Sequence, residues 1–156
     1  MKILGIDPGL QVCGYAVVEA DRNRIKLLEA GVCRTSARTS MEKRLVQIAD
    51  DINSLLEKFK PACMAVEDLY SHYAHPKTAI LMGHARGVIL ASACRRGTDV
   101  QSYAATRIKK SLTGNGRASK LQVQRSIMSL LGLAKMPEPA DVADAIAVAL
   151  CCANRI

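Results

Sequence analysis

Four carboxylates are the residues of this chain best placed to do chemistry. Asp7 closes the apolar run ILGID, Glu67 closes a second run, ACMAVE, and Asp141 and Asp144 lie at the start of the stretch DVADAIAVAL. A buried strand that ends on a carboxylate delivers that group to the edge of a sheet. On a helix, residues three apart share one side, so Asp141 and Asp144 project together, with a rise of about 4.5 Å between them. Each acid also has an ordinary reading. Asp141 can cap its helix or complement the dipole, Asp7 can form an Asx turn before Pro8 and Gly9, and Glu67 can face water. Asp144 fits such a reading less easily: it sits between Ala143 and Ala145 on an apolar helix, where a carboxylate needs a partner. Four acids at one edge repel one another, and one or two hard divalent cations, Mg²⁺ or Mn²⁺, relieve that cost. Two such ions about 3.5–4 Å apart can hold a phosphodiester, activate a water and stabilise the leaving oxygen. A glycosidase would need only two carboxylates and a sugar cleft.

The charge balance favours the phosphate chemistry. The chain carries 22 Lys and Arg against 14 Asp and Glu, a formal net charge of +8, which suits a polyanionic partner. Between Arg86 and Arg125 there are nine cations and a single acid, Asp99. Within that segment Arg107, Lys109, Lys110, Arg117 and Lys120 surround the turn TGNG, whose backbone amides can approach phosphate. A solvated basic face is the alternative. Tyr70, three residues beyond Glu67, can stack on a base or belong to the core. His72, His75 and His84 are scattered, which favours surface or hydrogen-bonding roles over metal ligation.

These residues need elements to hold them. ILGID, CGYAVVEA (13–20) and IKLLEAGVC (25–33) read as three strands whose short connections favour an antiparallel meander. Leu45, Ile48, Ile52, Leu55, Leu56 and Phe59 recur at helical spacing before Pro61. ACMAVED (62–68) is a further strand. A helix follows over about 77–95, with Gly83 and Gly87 on one side to admit another element. TDVQSY (98–103) reads as an edge strand, 104–112 as a short helix, the region of Val123 to Leu131 as another, and 141–153 as the last. Three strands followed by alternating helices and strands predict an α/β fold, a mixed central sheet with helices on both faces. The first turn lacks GxGxxG, which argues against a dinucleotide fold.

Length and composition (156 residues, 49% hydrophobic) suit one domain spanning 1–156. No apolar tract reaches 18 residues and no signal peptide is evident, so the expected setting is soluble and cytoplasmic, with no membrane contact. The six cysteines form no CxxC pair and mostly sit among apolar neighbours; free thiols in a reducing compartment are expected.

Taken together, GIDPGLQVCGYAVVE, VEDLY, GHARGV, IKKSLTGNGRASKLQVQ and DVADAIAVAL resemble the RuvC family of Holliday-junction endonucleases, in order and over essentially the whole chain. The resemblance implies a ribonuclease-H-like fold and four metal-binding catalytic acids at Asp7, Glu67, Asp141 and Asp144. It implies DNA-binding lysines at Lys109 and Lys120 and an aromatic residue near the junction centre at Tyr70, where many members have Phe. It further implies a homodimer that nicks two strands of a four-way DNA junction symmetrically near the crossover, leaving 5′-phosphate and 3′-hydroxyl ends. The implied partners are a junction-binding protein and a ring ATPase for branch migration. Two features depart from the family pattern: the loop SHYAHP, which lacks the usual Asn, and His84, where Gln is usual. A ribonuclease-H-like nuclease for another branched or hybrid nucleic acid, and a non-catalytic junction binder, are the competing readings.

Overall fold

The first strand, β1 (Lys2–Asp7), is buried along Ile3, Leu4, Gly5 and Ile6 and emerges only at its ends. In this computed structural model, which describes residues 1–22, 24–69 and 76–154, it is the central strand of a five-stranded sheet. β2 (Val12–Ala20) and β3 (Ile25–Arg34) pair antiparallel, as the short connections require, and β1 pairs antiparallel with β2. On its other side β1 pairs parallel with β4 (Cys63–Glu67), which pairs parallel with β5 (Asp99–Tyr103). The order is β3-β2-β1-β4-β5, so the expected mixed sheet and the edge position of β5 are both present.

Each parallel connection needs a crossover, and helices provide it. α1 (Met41–Phe59) links β3 to β4, and α2 (Pro76–Arg95) precedes β5. The period-2 alternation of the strands divides the core between the two faces. Leu4, Ile6, Val17, Met64 and Val66 pack with Ile48 and Ile52 of α1 and Ile89 of α2. Ile3, Ala16, Val18, Cys63 and Ala65 face the opposite layer. That layer is α3 (Ala105–Thr113), α4 (Lys120–Leu131) and α5 (Ala140–Ala153).

α5 is the helix that matters most. Eleven of its fourteen residues are buried, and the remaining three are Ala140, Asp141 and Asp144. An apolar helix can lie this close to a sheet only where the sheet has no side chains in the way. A Cβ on Gly5 would meet the Ala145 carbonyl oxygen and Ala149, and one on Gly14 would meet the backbone of Asp141. These two glycines, opposite one another's strand in β1 and β2, form the bed of α5.

Among the described residues the other expected close approach is absent. Gly83 and Gly87 of α2 have no atom of the described residues within 4 Å of a Cβ position, because the buried side of α2 is the one bearing Ala85, Ile89 and Ala93. The six cysteines are free thiols; five are buried and Cys94 is exposed. Among the described residues no helix is long and apolar enough to cross a membrane.

Candidate active site

Strand parity brings the acids together. Asp7 follows Ile3 and Gly5 on β1, and Glu67 follows Cys63 and Ala65 on β4, so both project toward the layer that holds α5. β1 and β4 run parallel and adjacent, which places both acids at the same end of the sheet. α5 begins at that end, since its first turn lies over Gly14, the pairing partner of Asp7.

The electrostatics record the convergence. The half-buried Asp7 carboxyl is pushed from its ordinary 3.8 up to about 7, by burial first and then by the charges of Asp144, Glu67 and Asp141, against the pull of Lys120. Glu67 is raised by burial and by Asp144, and Lys109 and Lys120 hold it back. The partner that Asp144 requires is Lys120, whose Nζ lies 3.0 Å from its Oδ2. This bond is also the chief reason the Lys120 ammonium holds its proton above the usual lysine range.

Lys120 owes its place to local sequence. Ser119 caps α4 by accepting from the Gln122 amide (3.2 Å), while the Gln122 side chain accepts from the Ser119 amide (2.8 Å). This reciprocal capping box makes Lys120 the first residue of the helix. Upstream, Gly114 ends α3 with φ of 77°, in the left-handed region, and Asn115 accepts from the Arg117 amide (2.9 Å), so the TGNG segment is the turn its composition predicts. Between α3, α4 and α5 lies a cleft of about 260 Å³, lined by Glu67, Asp144, Lys109 and Lys120 over Ile108 and Ala147. Asp7 and Asp141 lie outside its lining.

The basic segment does not act as one patch. Arg96 reaches back to Glu57 (3.3 Å) and Asn53 (3.1 Å) on α1, and Arg107 lies over the Tyr103 ring, 5.6 Å from its centroid. Arg86 is also spoken for. One of its terminal nitrogens donates to Asp68 (3.2 Å) and to Ser102 Oγ (2.8 Å), and its Nε donates to the Glu67 carbonyl (3.4 Å). Asp68 in turn donates its amide to the Tyr103 carbonyl (2.9 Å), extending the β4–β5 ladder one step beyond Glu67. In the sequence Arg86 is one of nine cations and a member of the segment GHARGV, and neither feature gives it a partner. Its spacing from the Glu67–Asp68 pair carries no local signal, because the contact joins α2 to the ends of two strands. Tyr70, His72 and His75 lie outside the described residues, and His84 is exposed on α2.

All four acids are oxygen donors, and their mutual repulsion is of the kind a hard cation relieves, so the set fits Mg²⁺ or Mn²⁺ in chemistry and in charge. The fit does not extend to a ready-made ligand shell: among the described residues no three His, Cys, Asp or Glu side chains are gathered closely enough to hold an ion.

Residues 3–152 match the family model for crossover junction endodeoxyribonuclease RuvC. The chain belongs to the RuvC family. It is 48% identical to the RuvC of Rhodopirellula baltica over 96% of this chain and 84% of that one. It is 44% identical to the RuvC of Heliobacterium modesticaldum over 100% of this chain and 96% of the relative. A solved structure of Thermus thermophilus RuvC in complex with Holliday junction substrate superposes with a TM-score of 0.91 at 33% identity, covering 97% of this chain and 92% of that one. The resemblance read from IDPG, TGNGRASK and DVADA is therefore a true membership, and the mixed sheet with helices on both faces is the ribonuclease-H-like fold of RuvC.

Proposed function

We propose that this chain is a structure-selective endonuclease that resolves four-way DNA junctions by paired symmetric nicks near the crossover, leaving 5′-phosphate and 3′-hydroxyl ends. The observation that carries the reading is the meeting of Asp7 with Glu67, Asp141 and Asp144 in one electrostatic field, beside a cleft that carries Lys109 and Lys120. RuvC family membership supports it, as does the junction bound by the Thermus thermophilus relative.

Asp7, Glu67, Asp141 and Asp144 are the residues that would hold two Mg²⁺ or Mn²⁺ ions. Such a pair, when bound, neutralises the acids, activates a water and stabilises the departing 3′ oxygen. The side chains of the protein do the rest. Lys120, at the mouth of the cleft and already against Asp144, is placed to meet charge on the scissile phosphate. Lys109 faces Glu67 and positions the backbone, with Lys110, Arg107 and Arg117 around the same turn. Tyr70 is the residue that would stack at the junction centre. No side chain is needed as a covalent nucleophile.

A homodimer fits the task, because paired nicks on a twofold junction call for two sites related by a twofold axis. The open side of α1 and α2 is compatible with such a pairing. Val46 and Ile80 are 60% and 62% exposed there, and Gly83 and Gly87 are uncovered by any described residue. Residues 1–156 act in this reading as one nuclease domain in the cytoplasm, working with the junction-binding protein and ring ATPase of branch migration.

The deciding assay is cleavage of an immobile four-way junction beside linear duplex, RNA–DNA hybrid and a three-strand fork, in Mg²⁺ or Mn²⁺. Symmetric nicks confined to the junction are expected. Cutting of the hybrid instead would keep the acids and overturn the substrate.

The Arg86 clamp makes a separate prediction. Arg86→Gln frees the end of β4 at Glu67 and lowers the cleavage rate roughly 10–100-fold, the scale of a sub-ångström misplacement. The Mg²⁺ concentration for half-maximal rate should rise while junction affinity stays put. Arg86→Lys should not rescue it, since an ammonium cannot span Asp68, Ser102 and the Glu67 carbonyl together. Equal Mg²⁺ dependence in wild type and variant would show that Arg86 does not position Glu67.

A further inference from the structure

One cationic segment stands apart from the cleft. Residues 34–44, RTSARTSMEKR, carry Arg34, Arg38, Lys43 and Arg44 against the single acid Glu42. Arg34, Arg38 and Lys43 are exposed, as are Ser36, Thr39 and Ser40 between them. Among the described residues, none of the four cations forms an ion pair. By contrast Lys58, Arg86, Arg96 and Lys120 are all neutralised by acids.

Topology puts this segment at the catalytic end of the sheet. β1 ends at Asp7, and β3, which runs parallel to it two strands away, ends at Arg34, paired with Val12. Arg34 follows Val32 onto the face that bears Asp7. Lys109 and Lys120 flank the acids from the side of β4 and β5; residues 34–44 flank them from the side of β2 and β3. Two strand spacings of about 4.8 Å lead from Asp7 through Gly14 to Val32, and two further residues of β3 at about 3.3 Å each set Arg34 roughly 12 Å from Asp7.

The segment is also held to the acid loop. Thr35, only 7% exposed, donates its hydroxyl to the Leu10 carbonyl (2.5 Å) and its amide to the Gln11 carbonyl (3.0 Å). The same hydroxyl accepts from Arg44 Nε (2.9 Å). Ser36 closes the turn beyond it by accepting from the Arg38 amide (3.2 Å), and its carbonyl accepts from the Thr39 amide (3.1 Å). The stripe is therefore built onto the residues that follow Asp7.

We infer that residues 34–44 form a second phosphate-binding stripe, which holds the backbone of a junction arm beside the cut, across the acids from Lys109 and Lys120. The inference rests on the junction reading and deepens it by naming where the DNA leaves the site. Exposed guanidinium, ammonium and hydroxyl groups suit phosphate oxygens and carry no base readout.

The test is the salt dependence of junction binding, measured in EDTA between about 50 and 200 mM KCl, where each lost phosphate contact removes roughly 0.9 from the slope of log K against log salt. Arg38→Gln/Lys43→Gln should weaken binding several-fold and reduce the slope by about 2. The control is Arg24→Gln/Lys26→Gln, which removes the same charge from the far end of β3, about 30 Å away at about 3.3 Å per residue. It should leave the slope as in wild type. An unchanged slope in the Arg38/Lys43 variant, or an equal fall in both variants, overturns the stripe and leaves the junction reading standing. Failure of the wild-type protein to bind the junction would remove both.

Discussion

Asp7→Asn abolishes cleavage of a four-way junction and makes the metal-free protein more stable at pH 8. The first effect should be at least roughly 1000-fold, the scale for removing a group that organises charge in the transition state, with junction binding largely retained. Parallel loss of binding in a folded variant would contradict this division between acids and basic groups. The second effect follows from the field around Asp7, whose carboxyl keeps its proton to about pH 7 instead of the ordinary 3.8. Below pH 3.8 the group is neutral in the folded and unfolded chain alike and has no effect. As pH rises, the unfolded chain ionises first, so the folded state loses stability, and the whole penalty is present above about pH 7. Its size is on the order of 4 kcal/mol, at about 1.4 kcal/mol per pH unit, which for a chain of this length is on the order of 10 °C in Tm. Asn carries no charge and escapes the penalty. In EDTA, Tm of Asp7→Asn should exceed that of wild type at pH 8, and the gap should vanish near pH 4. Mg²⁺ should then raise the wild-type Tm far more than that of the variant. A gap that persists at pH 4 would mean that packing, and not charge, sets the difference.

Gly14→Ala should damage the site without touching an acid. The new methyl group would overlap the backbone of Asp141 at the first turn of α5. Backbone cannot swing aside as a long side chain can, so the helix start must lift from the sheet, at a cost of about 1–3 kcal/mol. The lift carries Asp141 away from Asp7 and should cost roughly 100-fold in cleavage. Differential scanning calorimetry and single-turnover cleavage of the same preparation check the two effects together. An unchanged rate with an unchanged Tm would show that α5 does not rest on Gly14.

Much of this site was legible in one dimension. The acids are found because each breaks a pattern: a carboxylate at the end of an apolar strand, or one inside an apolar helix. Strand and helix periods then assign them to elements whose bounds differ from expectation by a residue or two, because hydrophobic periodicity is a local property that packing here reinforces. The lysines of the TGNG turn are legible for the same reason, and the Ser119–Gln122 capping box that orients Lys120 is itself a sequence signature.

What the sequence by itself determined is the order of elements, the mixed sheet, the four acids and the basic turn, since each depends on neighbours within about one helical turn or strand. Only the tertiary structure decided which cations are paired with acids. Arg86 and Arg96 are spent on Asp68 and Glu57, and among the described residues Arg34, Arg38 and Lys43 form no ion pair, although in sequence all are equally positive. It also decided that, among the described residues, α5 packs against Gly5 and Gly14 while Gly83 and Gly87 meet no neighbour. Those outcomes depend on which surfaces meet across the sheet, and the meeting of surfaces is a property of strand order and parity, which no residue carries alone.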